Sequence, residues 1–248
     1  LTTKVAWTPE ALFDEMSRAV VNVATGRYVV GQQRLRAAVA GGAEFICWAD
    51  AMPPGSPAHK DVPYAFKAFA IDAARQRGFR YVLWADSSIR PIRPLDPLWD
   101  LIERQGYWIS RNYSWNNFEW TWPTAYAALD VTPEENLKIP QIIATSFGLD
   151  LQHPKGARFF EEYLRLARTT AFCGPWFNTS HPDYAQHGQS WYPCGECPDL
   201  RVRGHRHDQT AASLIAHRLD MTLTDPPKWI DYPPSQTADT ILWVDGNY

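Results

Sequence analysis

The stretch FRYVLWADSSI, residues 79–89, sets how the rest of the chain is read. From Phe79 to Ala85 it is apolar and aromatic apart from Arg80, short, and rich in strand-favouring side chains. It ends on Asp86 with Ser87 and Ser88 behind it. An earlier run, EFICWAD (residues 44–50), has the same shape and also ends on an aspartate, Asp50. Between the two lie a Pro- and Gly-rich loop, AMPPGSPAHKDVP (51–63), and a helical stretch, PYAFKAFAIDAARQR (63–77), stopped by Gly78. Two short strands joined by a helical crossover imply a parallel, right-handed βαβ unit. Each strand delivers a carboxylate to the carboxyl edge of a sheet, where open α/β sheets bind their ligands.

Upstream, Thr8-Pro9-Glu10 opens a helix with a hydroxyl cap, a proline at the first helical position and an acid. That helix is expected to run to about Val23, and a second from roughly Gly31 to Ala40, ending at Gly41-Gly42. Downstream, the patterns predict a helix over 95–105, a strand over 107–110, a strand over 141–151 and a helix over 155–168. A helix over 208–219 and a short strand over 221–224 complete the regular elements. The aromatic, Asn-rich stretch RNYSWNNFEWTWPTAY (111–126) is either a loop facing a ligand or a rim of packed rings. Residues 169–204 read as a long irregular loop bearing three of the cysteines and two histidines, His181 and His187. Residues 226–248 read as a Pro-rich tail wrapped over the domain. The expectation is one α/β domain over residues 1–248, with a central, mostly parallel sheet flanked by helices.

The composition is that of an ordinary globular protein: 248 residues, 45% hydrophobic and 21% charged. No apolar run approaches the length of a spanning helix, so membrane insertion is not expected. No signal peptide is visible at the N-terminus, and a cytoplasmic location is expected. Lys and Arg number 24 against 27 Asp and Glu, a formal charge of −3, which lacks the basic excess of a phosphate-gripping protein. A dinucleotide fingerprint, a Walker A loop, a G-x-S-x-G elbow and an H-E-x-x-H pair are all absent from the sequence.

Three groups of residues could carry chemistry. Asp86, followed by Ser87 and Ser88, either caps a turn or presents a carboxylate to a ligand. Lys67, early in the 63–77 helix, could meet a phosphate. The cluster Gly204-His205-Arg206-His207-Asp208-Gln209 opens the late helix. Asp208 there is either an N-cap favoured by the helix dipole or a functional acid. His205 and His207 would point to one side of an extended segment, and neutral imidazole is a common metal ligand. Arg206 could pair with phosphate. Separately, Cys194-Gly195-Glu196-Cys197 has the half-site spacing of structural zinc, and Cys173 could join it; free thiols or a disulfide are the alternatives. Cys47 reads as an inert buried thiol.

An apolar strand delivering Asp86 and small polar residues, followed late in the chain by Asp208-Gln209 at a helix start, resembles the nucleotide-sugar glycosyltransferases of the GT-A fold. The resemblance covers roughly residues 27–225. It departs from the family's D-x-D element at Ser88, a weaker ligand without charge that stands where the second aspartate would be. The resemblance implies a nucleoside-diphosphate sugar as donor, a UDP-sugar first, and a divalent Mn²⁺ or Mg²⁺ ion bridging protein and diphosphate. It implies that Asp86, His205 and His207 hold that ion, with Ser88, Lys67 and Arg206 near the nucleotide and phosphates. Asp208 and Gln209 would orient the donor sugar, and Asp208 could serve as base. Trp115, Asn116 and Trp120 are the acceptor-side candidates. The acceptor is a saccharide or a modified base in DNA. Two rival classes use the same residues differently: a metal-dependent phosphohydrolase built on Asp50, Asp86, His205 and Asp208, and a non-catalytic sugar- or nucleotide-binding protein.

Overall fold

The computed structural model describes residues 18–187, 193–225 and 229–245. Its strands are β1 (Arg18–Ala24), β2 (Glu44–Ala49), β3 (Tyr81–Ala85), β4 (Ile89–Pro91), β5 (Tyr107–Trp108), β6 (Arg111–Asn116), β7 (Pro140–Ile142) and β8 (Ser146–Asp150). Four short strands follow: β9 (Phe177–Asn178), β10 (Cys194–Gly195), β11 (Ile230–Asp231) and β12 (Leu242–Val244). The longer helices are α1 (Tyr28–Val39), α2 (Phe66–Gln76), α3 (Asp96–Gln105), α4 (Pro154–Leu166) and α5 (His207–Arg218). The central sheet has the order β2-β1-β3-β8-β5. β1 pairs in parallel with both β2 and β3, while β8 runs antiparallel to β3 and to β5. Four of its five strands therefore point one way, as expected of a mostly parallel sheet.

The strand patterns show why both faces are covered. On β1 and β3, Val21, Val23, Val82 and Trp84 enter one apolar core with Phe69, Phe159, Tyr163 and Leu214 from α2, α4 and α5. Their neighbours Val20, Leu83 and Ala85 turn to the other side and meet Leu35, Leu98, Trp99 and Ile102 from α1 and α3. A strand buried on both faces loses the polar alternation that marks a one-sided strand and reads as a continuous apolar run.

That is the reason for the principal correction. The helix expected from Thr8 to about Val23 lies outside the described residues up to Ser17, and from Arg18 the chain is strand. RAVVNVA carries three β-branched valines, which favour a strand. β2 and β3 are parallel as expected but are not neighbours, because β1 lies between them. Residues 111–116, read as loop, form β6 against β7. The strand expected over 221–224 is reduced to one bridge between Ser110 and Thr224. The tail contributes β11 and β12 to a small sheet with β4, residues 226–228 and 246–248 lying outside the described residues.

A buried amide network fixes the carboxyl edge of the sheet. Asn22 on β1 is fully buried. Its Nδ2 donates to the carbonyl of Ala85 at 2.6 Å, and its Oδ1 accepts from Gln32 Nε2 at 2.8 Å and Ser87 Oγ at 3.3 Å. Gln32 Nε2 also donates to the carbonyl of Trp48 at 2.9 Å. Asn22 and Gln32 together thus tie α1 to the ends of three strands. Asn22→Ala leaves several buried polar groups unpaired and opens a small void, which should lower unfolding free energy by about 2–4 kcal/mol. Urea unfolding followed by tryptophan fluorescence measures this, and a change below about 0.5 kcal/mol would show that the network does not hold the edge.

Candidate active site

The site begins where β1 and β3 end. A cavity of about 350 Å³ opens there, floored by Asp86, Ser87 and Ser88 and bounded by Val23, Ala24 and Thr25. Tyr28, His59, Tyr64 and Phe66 supply aromatic walls, with Met52 beside them. A larger cleft, about 450 Å³, lies between residues 38–43 and 91–99. Its charged residues, Arg93 and Asp96, are both exposed.

Lys67 is the centre of the site. It sits in the first turn of α2 and is 2% exposed. Its ammonium lies 3.2 Å from Asp86 Oδ1 and 3.0 Å from Asp208 Oδ2, and donates to the carbonyl of Ala144 at 2.9 Å. The rings of Tyr64 and Trp84 face it at 5.1 and 5.4 Å. A cation in the first turn of a helix opposes the helix dipole, so its position depends on these partners. Asp86 Oδ1 also accepts from Trp84 Nε1 at 2.8 Å, and Asp208 Oδ2 from the Tyr163 hydroxyl at 3.3 Å. Asp86 keeps a quarter of its side chain exposed toward the cavity, whereas that of Asp208 is only 6% exposed. Lys67, Asp86 and Asp208 together carry one net negative charge.

The titration directions follow from burial. Desolvation raises the pKa of Asp86 above the ordinary carboxylate value; Lys67 opposes the shift and the like charge of Asp208 adds to it. Desolvation likewise raises Asp208, against Lys67 and the Tyr163 hydroxyl. Burial disfavours charge on Lys67, but Asp208 and Asp86 outweigh it and hold its pKa above the ordinary lysine value. Raised carboxylates are stronger bases than free aspartate, and perturbed groups beside a cleft mark a candidate functional site.

The cluster of residues 205–209 divides its roles. His205 is fully buried; its Nδ1 accepts from the Trp122 amide at 3.2 Å and its Nε2 donates to the Ala171 carbonyl at 3.1 Å. Both nitrogens are engaged, so the ring is a neutral support and offers no lone pair to an ion, contrary to expectation. His207 Nδ1 donates to the Phe172 carbonyl at 2.9 Å, and its buried Nε2 has no hydrogen-bond partner among the described residues. Its ring is enclosed by Tyr64, Trp176 and His205 at 5.6, 5.1 and 5.3 Å. Tyr64 and His207 both adopt left-handed backbone, φ +61° and +46°, a strained conformation for bulky side chains that often clusters at functional sites. Arg206 was expected near phosphate. Instead its guanidinium lies 3.7 Å over the Trp120 ring, with Trp176 at 4.7 Å and Trp115 at 5.0 Å, and donates to the Trp176 carbonyl. Gln209 Nε2 donates to Gln141 Oε1 at 2.9 Å, within an amide network that includes Asn117.

The acceptor-side candidates make contacts within the fold. Trp120 is 5% exposed and packs with Trp115 against Arg206. Asn116 Nδ2 donates to the Leu137 carbonyl, and its Oδ1 accepts from the Phe118 amide. The expected zinc set is not assembled either. Cys173 Sγ donates to the Asp61 carbonyl, Cys194 accepts from the Tyr184 hydroxyl, and Cys197 is buried against Phe118 and Val202. Among the described residues no three His, Cys, Asp or Glu side chains gather to hold a metal ion. That statement covers Asp86, His205 and His207 as well. With Asp86 already sharing its charge with Lys67, an uncharged hydroxyl at Ser88, both His205 nitrogens engaged and the His207 ring enclosed by Tyr64, Trp176 and His205, the residues present do not fit the divalent ion that the resemblance implies.

Sequence reasoning missed several residues here. Tyr28 and Thr25 follow a strand that was not recognised. Tyr163 lies in the helix expected over 155–168, where no residue was singled out. Tyr232, whose hydroxyl lies 3.3 Å from Thr145 Oγ1 and whose pKa is raised by burial, with the Asp86 charge adding to the shift and Lys67 opposing it, comes from the tail.

No protein-family model and no curated protein matches the chain. Solved structures it is similar to include several glycosyltransferases. One, involved in glycosylation of the major capsid of PBCV-1, matches over 81% of this chain and 98% of its own, at 11% identity and a TM-score of 0.41. Mouse xyloside xylosyltransferase 1 matches over 92% and 84%, at 10% identity and a TM-score of 0.48. The bifunctional glycosyltransferase WbbM matches over 98% of this chain but 47% of its own, at 9% identity and a TM-score of 0.48. At these values the likeness is to architecture, and no residue role passes from those proteins to this one. Among the described residues no helix is long and apolar enough to cross a membrane.

The buried histidine supplies a pH test of the site's support. Burial lowers the His205 pKa to about 4, with Arg206 adding to the shift. The unfolded chain takes up this proton below about pH 6.5, the folded chain only near pH 4. The contribution of His205 is therefore full above pH 6.5 and falls as pH drops toward 4, by at most about 1.4 kcal/mol per pH unit. His207 shifts in the same direction, whereas raised Asp86 and Asp208 act in the opposite sense. His205→Gln can make the same two hydrogen bonds without titrating, so the difference between the proteins isolates this ring. Chemical unfolding from pH 7 to 4 should show a shallower loss for the variant; equal slopes would refute the assignment.

Proposed function

We propose that the chain is a glycosyltransferase that moves a sugar from a nucleoside-diphosphate sugar, a UDP-sugar first among them, to a hydroxyl on a saccharide or a modified DNA base. The observation that carries this reading is the buried Lys67 ammonium between Asp86 and Asp208, at the carboxyl edge of the sheet and beside an aromatic-walled cavity. Nearby carboxylate oxygens accept hydrogen bonds from sugar hydroxyls, and aromatic faces pack against sugar or base. In transfer, the bond between the anomeric carbon and the diphosphate oxygen breaks and its electron pair leaves with the diphosphate. The carbon bonds to the acceptor oxygen. The hydroxyl proton passes to Asp86, the triad carboxylate that reaches the cavity. Positive charge developing at the anomeric carbon faces a group of side chains with a net negative charge, which favours the transition state over the neutral donor sugar. Asp208, nearly buried, positions Lys67 and through it Asp86.

The phosphohydrolase alternative loses two of its four residues. Asp50 Oδ1 accepts from the Gly26 amide at 2.7 Å, capping a turn, and His205 is engaged on both nitrogens.

A thermal-shift panel of nucleoside diphosphates and their sugars tests the reading. A ligand at about 100 times its Kd adds roughly 2.7 kcal/mol and should raise the midpoint by several degrees. Nucleoside diphosphate release should be slow in water and faster with an acceptor. Asp86→Asn should reduce that release by about 100-fold or more while the protein stays folded. Full activity in a folded Asp86→Asn protein would remove Asp86 from the mechanism, and no shift with any donor would remove the transferase reading.

A further inference from the structure

We infer that the carboxylates of this site take no divalent cation, and that Lys67 is the built-in positive charge that stands in its place. Applied to the donor, the inference rests on the glycosyltransferase reading; applied to the protein alone, it does not.

Four observations converge. The ammonium is within 3.2 Å of Asp86 and 3.0 Å of Asp208, so the charge a bridging ion would seek on both carboxylates is already shared. It cannot swing aside, because Lys67 is 2% exposed and held by the Ala144 carbonyl as well. The bonded oxygens are occupied twice over: Asp86 Oδ1 by Trp84 and Lys67, Asp208 Oδ2 by Tyr163 and Lys67. On the cavity floor the next side chains are the hydroxyls of Ser87 and Ser88, and Ser87 already donates to Asn22. Mn²⁺ and Mg²⁺ want a near-octahedral shell of oxygens, drawing on one or two carboxylates. One half-neutralised carboxylate, one serine hydroxyl and the His59 imidazole, whose Nδ1 already accepts from the Tyr64 amide, are a poor beginning for such a shell of oxygens.

The consequence for an anionic donor is electrostatic. Two bare carboxylates would repel a diphosphate and need a cation between them and it. With Lys67 included the three side chains carry one negative charge, and the approaching diphosphate meets half the repulsion. Lys67 does this from behind the cavity wall, without needing to touch phosphate.

The experiment uses the whole chain, stripped with EDTA and desalted. Mn²⁺ alone is added and its free aqueous signal followed by electron paramagnetic resonance. UDP and a UDP-sugar panel are then titrated calorimetrically in EDTA and in Mn²⁺. The expected result is no signal loss beyond that of a non-binding control protein, and donor affinities in the two buffers within about twofold. Stoichiometric Mn²⁺ uptake, or donor binding tightened tenfold or more by Mn²⁺, overturns the inference. If no donor binds in either buffer, the transferase reading fails, and the Mn²⁺ signal alone decides this inference. A second variant supplies the gain-of-binding arm. Ser88→Asp adds a carboxylate on the open cavity floor, where space is available, and should take up more Mn²⁺ than the wild type. Wild-type uptake equal to that of a Mn²⁺-binding Ser88→Asp protein overturns the inference by a separate route.

Discussion

An ammonium sealed between two carboxylates sets the terms for this molecule. Burying an ion costs several kcal/mol even after relaxation, and removing one partner of a buried pair typically costs 3–5 kcal/mol. Lys67 therefore stays charged while buried only because α2, the end of β3 and the start of α5 are held together. Residues 67, 86 and 208 are far apart in the chain, so their meeting is a tertiary achievement, and it is also what gives the cavity its floor.

The sheet makes that meeting possible. β1 occupies the place between β2 and β3, and its Asn22 gathers the strand ends that rim the cavity. The two strand-end aspartates, alike in sequence, then part company. Asp50 turns to cap the Gly26 amide, while Asp86 faces the cavity and Lys67. Identical local patterns were given different work by their neighbours.

The segment from His205 to Gln209 shows the same division within five residues. Alternation of backbone direction sends His205 into a fully hydrogen-bonded support and Arg206 into a cage of indole rings. The left-handed turn at His207 then aims Asp208 at Lys67. A cluster that looked like one ligand set in sequence is a support, a packing cation, a turn and a buried partner of Lys67 in space.

Local chemistry was enough to find the βα alternation, most helix boundaries, the strand ending on Asp86 and the helix opening at Asp208. These depend on periodicity, glycine stops and residue types within a few positions of one another. β1 was not legible, because a strand buried on both faces shows no polar alternation and its apolar run fits a helix equally well. Nor were the engaged nitrogens of His205, the caging of Arg206, the separation of the three cysteines or the arrival of Tyr232 from the tail. Each of those depends on which distant backbone carbonyl, ring or hydroxyl comes within about 3–5 Å. Only the folded chain decides that.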